Sequence, residues 1–156
     1  TERCILHEKA VTGMINPPLR SPREKVGGLY HFGRMIDKIR LHLRGELPEE
    51  YRPNFGLSAG LDGYLCGFLG VSHSELIEQV VLGKTDDEIL EWCLSTRFRP
   101  NPIQKRIWNG FALKLGWRDK ASGFLERVKL EDGLSHRDDL VTAFDLIDAR
   151  EGRSQI

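Results

Sequence analysis

Cysteine is scarce in this chain and long apolar runs are missing. The three cysteines, Cys4, Cys66 and Cys93, are odd in number, lie far apart and form no C-x-x-C pair. That leaves no basis for a disulfide framework or a zinc knuckle, and a reducing, cytoplasmic setting is the expectation. No run approaches the roughly 18 apolar residues that cross a bilayer, and the N-terminus lacks the basic, apolar and small-residue order of a secretion signal. An excess of one charge is missing too. Lys and Arg number 23 and Asp and Glu number 23, so the whole-chain argument for a nucleic-acid or membrane partner fails. No strand precedes Gly27, Gly28 and Gly33 and no G-K-[ST] follows them, which excludes a phosphate-binding loop of the NTP or dinucleotide kind. The five histidines contain no i, i+4 pair; His31 and His42 share a face but stand about three turns apart, too far to hold one metal. Neither a metal nor a cofactor is expected.

What is present is helical punctuation. The 156 residues suit one domain with a hydrophobic core. The expectation is a compact all-α domain of six or seven short helices over 21–150, with an irregular segment at 1–20 and a fraying tail at 151–156. Ser72 with Glu75, and Thr85 with Glu88, read as capping boxes, Val71 with Leu76 as a hydrophobic staple, and Gly83 as a helix stop. Asn101 before Pro102 starts another helix, with Ile103, Ile107, Phe111 and Leu115 as its buried stripe. A helix over about 119–132 follows. The last opens at Ser135, with Asp138 three residues on, and buries Leu140, Val141, Phe144 and Ile147. Gly60, Gly63 and Gly67 fall in one helix at a cost of up to about 1 kcal/mol each relative to Ala, so another backbone or a ligand is expected close against it, tight packing being the plainer account.

The stretch LRSPREKVGGLYHFGRMIDK concentrates the chemistry. Ser21, Pro22 and Glu24 read as N-cap, N1 and N3 of a short turn, and the Gly pair then admits a helix over 31–44. Phe32, Met35, Ile36, Ile39 and Leu43 form its core face. Arg34, Asp37, Lys38 and Leu41 fall on the opposite face, and a Leu among charges implies that this face is covered as well. Charges there would have to be paired, because an unpaired charge out of water is costly. Between Arg20 and Arg44 seven basic residues face two acids, whereas 119–151 carries nine acids against five bases. The halves either attract each other or the basic part holds a phosphate or carboxylate through Arg forks.

The runs RSPREKVGG and RMIDKIRLHLRG, then Tyr51, LDGYLCGFLGV and the D-x-E-I-L-x-W of Asp86 to Trp92, resemble a bacterial family of small proteins known only as a domain of unknown function, number five thousand and sixty-nine. The resemblance is strongest over 19–92. It implies an intracellular protein and marks Arg23, Arg34, Asp37, Lys38 and Asp62 as positions matching the family's charged motifs. It carries no activity or ligand. The loop ELPEEYRPNFG departs from the family's short Gly-x-Tyr turn.

Asp37 and Asp62 are the candidate acid–base pair, against the plainer reading of structural ion pairs. Arg23, Arg34 and Lys38 would hold an anionic group, with Tyr30 or Tyr51 orienting it. Cys66, one turn after Asp62, reads as a core residue rather than a nucleophile. Trp108, beside Lys105 and Arg106, is a candidate stacking surface, although no recognition motif for nucleic acid accompanies it. Two functions compete: a site for a small anionic molecule, with or without catalysis, and a non-catalytic module docking a protein partner or a second copy.

Overall fold

A computed structural model of the chain describes residues 18–153. Among these residues it is all-α, with α1 Phe32–Leu43, a 3-10 helix Glu49–Asn54, α2 Leu61–Leu69, α3 His73–Val81, α4 Asp86–Thr96, α5 Pro102–Lys114, α6 Ser122–Glu131 and α7 Ala143–Arg150. None of these helices is long and apolar enough to cross a membrane. Residues 1–17 of the expected irregular segment and 154–156 of the tail lie outside the described residues. The described chain divides into two compact units, 22–112 and a second formed by 18–21 with 113–153.

Local signals set the helix ends of the first unit. Ser72 and Thr85 cap α3 and α4, each exchanging hydrogen bonds with the Glu three residues on. Asn101 does the same for α5: its side chain accepts from the Gln104 amide at 2.8 Å, and Gln104 accepts from the Asn101 amide at 2.9 Å. These boxes satisfy donors that would otherwise be left open at a helix start. The core is built from α1 outward. Phe32, Met35, Ile36 and Ile39 are fully buried with Leu65 and Leu69 of α2, Leu76 of α3 and Ile89 and Cys93 of α4. The second face of α1 is covered too, with Arg34, Lys38 and Leu41 all buried.

The Gly pair has a specific job. Val26 and Leu29 exchange backbone hydrogen bonds of 3.1 and 3.0 Å across Gly27 and Gly28. Both glycines have positive φ, 58° and 80°, as a type I′ turn requires. A Cβ at Gly27 would lie 2.2 Å from a Leu90 methyl carbon. The inner face of α5 grips this turn: Lys105 donates to the Gly27 carbonyl, Asn109 to the Gly28 carbonyl, and the Trp108 indole to the Tyr30 carbonyl. Asn109 also accepts from the Tyr30 amide at 3.0 Å. This arrangement corrects the expected burial of α5. Trp108 and Ala112 are its buried residues, while Ile103, Ile107 and Phe111 are exposed. The period of the apolar residues was right, but an indole and three polar grips on the turn determine which side faces inward.

In the second unit Leu125, Leu134, Leu140 and Leu146 form the core. The last helix starts at Ala143 instead of Ser135, because Thr142 caps it and Asp145 returns the bond. Val141 is consequently exposed, while Leu140 and Phe144 are buried as expected. Ser21 does not cap a helix here; residues 22–24 form only a turn, and the Ser21 hydroxyl donates to the Asp148 carboxylate at 2.8 Å. Arg153 ties the chain beyond α7 through Asp148, Glu151 and the Leu19 carbonyl.

The three glycines around α2 separate into different cases. A Cβ at Gly63 would lie 2.4 Å from the Ser58 backbone, whereas one at Gly67 meets nothing within 4 Å. We therefore expect Gly63→Ala to lower stability by about 1–3 kcal/mol, since backbone must move. Gly67→Ala should raise it by about 0.5–1 kcal/mol. Urea unfolding of the two variants beside wild type checks both signs.

Candidate functional site

Three groups of the first unit converge on one carboxylate. Asp62 lies in the first turn of α2, where the helix dipole favours a negative charge, and it is 1% exposed. His31 Nε2 meets its Oδ1 at 2.7 Å, Lys38 Nζ meets its Oδ2 at 2.7 Å, and the Gly56 amide donates to Oδ2 at 3.0 Å. His31 and Lys38 are seven apart at the start of and within α1, so two helical turns bring them to one side. Gly56 has φ 67°, and a Cβ there would lie 2.6 Å from His73 Nδ1. Only glycine lets its amide reach Asp62 beneath that ring.

His31 is held in an uncommon conformation. It is the N-cap of α1 with φ 73°, a region that a side chain with Cβ enters at a cost. Its amide donates to the Pro22 carbonyl at 2.8 Å and its carbonyl accepts from the Met35 amide at 2.9 Å. The turn at 26–29, fixed from α5, delivers the chain to this point.

The protonation states follow from the pairing. Burial would raise the Asp62 pKa, but the His31 hydrogen bond and the Lys38 charge more than offset it, leaving the carboxyl well below its ordinary range. An ionised Asp62 can only accept, so His31 Nε2 carries the proton and Nδ1 carries a lone pair. Burial, against the opposing pull of Asp62, lowers the imidazole to about 4. His31 is therefore neutral at pH 7, and its buried Nδ1 has no hydrogen-bond partner among the described residues. His73, lowered chiefly by burial, also has a buried ring nitrogen, Nε2, with no partner among the described residues. Its ring stands edge-on to Phe55 at 4.6 Å, and Phe55 lies 4.5 Å from the His42 ring.

Arg34, Lys38 and Asp62 all act electrostatically on His31, and the Arg34 guanidinium lies 5.5 Å from the Tyr51 ring centre. Asp37 sits half-buried next to Lys38 on α1, Arg23 half-buried in the turn at 22–24, and Tyr30 directly before His31 with Lys25 over its ring at 4.8 Å. Cys66 is a core thiol, pushed up to about 12 by burial and then by the Asp62 charge, with its sulfur 3.9 Å from that of Met35. His31, Gly56 and His73 are the members that sequence reasoning overlooked. The seven-residue spacing of His31 and Lys38 was the available signal.

The depressed His31 pKa sets a pH dependence. Below about 6.5 the unfolded chain takes up a proton that the folded chain refuses until about 4. Stability is thus complete above pH 6.5 and falls as pH drops towards 4, by on the order of 3 kcal/mol at 1.36 kcal/mol per pKa unit. His73 adds in the same direction. Urea midpoints at pH 7 and pH 4.5 should differ clearly in wild type and much less in His31→Asn, Asn being tolerant of the left-handed backbone.

No curated protein matches the sequence. A family model described as a domain of unknown function, DUF5069, matches residues 16–153, which takes in every element that builds the site. The chain belongs to the DUF5069 family.

Proposed function

We propose that this protein binds a small anionic molecule, carrying a carboxylate or phosphate and a hydroxyl, at the cluster around His31. The observation behind this reading is the Nδ1 of a buried, tautomer-fixed histidine, which has no partner among the described residues. A buried polar atom without a partner costs about 1–3 kcal/mol, and a ligand hydroxyl donating to Nδ1 would remove that cost. Among the described residues, the charges acting on His31 are two cations, Arg34 and Lys38, and one carboxylate, Asp62. That balance favours a negative group on the ligand. Arg23, Tyr30 and Tyr51 lie in the segments that flank the cluster and would orient it.

Roles within the site differ from those that spacing alone suggests. Asp62 has both oxygens engaged and stays ionised, so it anchors His31 and does not shuttle a proton. Asp37 is the other carboxylate proposed for that work. With a pKa near 4, His31 is a weak base at neutral pH and serves first as a hydrogen-bond acceptor. The geometry supports binding ahead of catalysis.

Thermal-shift and calorimetric titrations with inorganic phosphate, citrate and glucose 6-phosphate test this reading. At least one probe should raise the melting temperature of wild type and move the His31 Nδ1 resonance in a nitrogen NMR spectrum. Folded His31→Asn should bind it about tenfold more weakly or worse. If no probe shifts wild type and His31→Asn merely melts earlier, the cluster is a structural brace.

A further inference from the structure

The geometry points to the outer face of α5 as a docking site for an acidic amphipathic helix of a partner protein. This inference is independent of the ligand reading. Ile103, Ile107 and Phe111, at i, i+4 and i+8, are 70%, 64% and 44% exposed. Tyr64 of α2 stands edge-on to Phe111 with ring centres 5.5 Å apart, extending the row onto the neighbouring helix. Side chains four apart form the ridge that packs into the groove of another helix.

A second feature points the same way. Gly67 on α2 and Gly110 on α5 sit in helix interiors, and a Cβ at either meets nothing within 4 Å among the described residues. Each costs up to about 1 kcal/mol relative to Ala, and no packing within the described chain requires it. Bare backbone beside an apolar ridge admits the close approach of a second helix. A lipid surface would gain nothing from it.

Charge selects the partner. The α5 sequence contains Lys105, Arg106 and Lys114 and no acid, while the only charged residue of α2, Asp62, is buried. Lys105 is turned inward to the Gly27 carbonyl, so the exposed charges that α5 itself sets beside the apolar row are Arg106 and Lys114, both positive, and an acidic helix is their complement.

Selection from two displayed libraries of amphipathic helices tests this, one with Glu and Asp on the polar face and one with Lys and Arg. The acidic library should yield binders whose affinity falls with added salt and drops at least about tenfold in Ile107→Glu. Gly110→Ala should keep or raise the melting temperature and yet weaken binding. The inference is overturned if neither library yields binders, or if their binding ignores Ile107→Glu. It is equally overturned if sedimentation shows a dimer that Ile107→Glu dissolves, which would make a second copy the occupant. Binding to phosphatidylserine vesicles that Ile107→Glu abolishes, without peptide binding, would assign the face to membranes.

Discussion

A single buried negative charge organises the first unit. Asp62 has given up water entirely, and a carboxylate can do that only if its oxygens are filled by donors and its charge is balanced. Lys38 supplies the charge, and His31 and the Gly56 amide supply the remaining donors. The cluster joins three segments: α1, at its start and its second turn, the loop after the 3-10 helix, and α2, which carries the carboxylate. The neutral pair is no proof of high stability, because its replacement by well-packed apolar residues could serve as well. Its consequence is placement, since the observed arrangement of the three segments leaves the Asp62 charge paired.

The second organising device is the inner side of α5. Lys105, Trp108 and Asn109 all bond to the backbone of 27–30. Polar grips of this kind fix a turn that could otherwise open, and the turn leads directly to the strained backbone of His31. That side of α5 therefore positions the histidine, and the same grip leaves Ile103, Ile107 and Phe111 on the opposite side facing water.

Much of this was legible in the sequence where the cause is local. The capping boxes at Ser72 and Thr85 and the cap-then-Pro helix start at Asn101 were readable because donor and acceptor lie within one turn. The covered second face of α1 was readable from Leu41 among charges, and Lys38 and Asp62 were singled out with it. His31 was not, because its role depends on a left-handed backbone and on a partner 31 residues away. Burial of α5 was misassigned for the same kind of reason: apolar spacing marks a stripe, but which side packs depends on what another segment presents. Ser21 and Ser135 looked like caps, yet Ser21 donates to the Asp148 carboxylate, and Thr142 provides the later start of α7.

The shared carboxylate also bears on how the protein opens locally. The first turn of α1 has no side-chain cap of its own, and Gly56 sits in a loop with no regular ladder to protect its amide. Both depend on Asp62. A fluctuation that admits water to that carboxylate must release His31, Lys38 and Gly56 together, because a half-dissolved cluster would leave a charge buried without its partner. The amide hydrogen of Gly56 and those entering α1 thus belong to one cooperative exchange unit, although 25 positions of sequence separate His31 from Gly56.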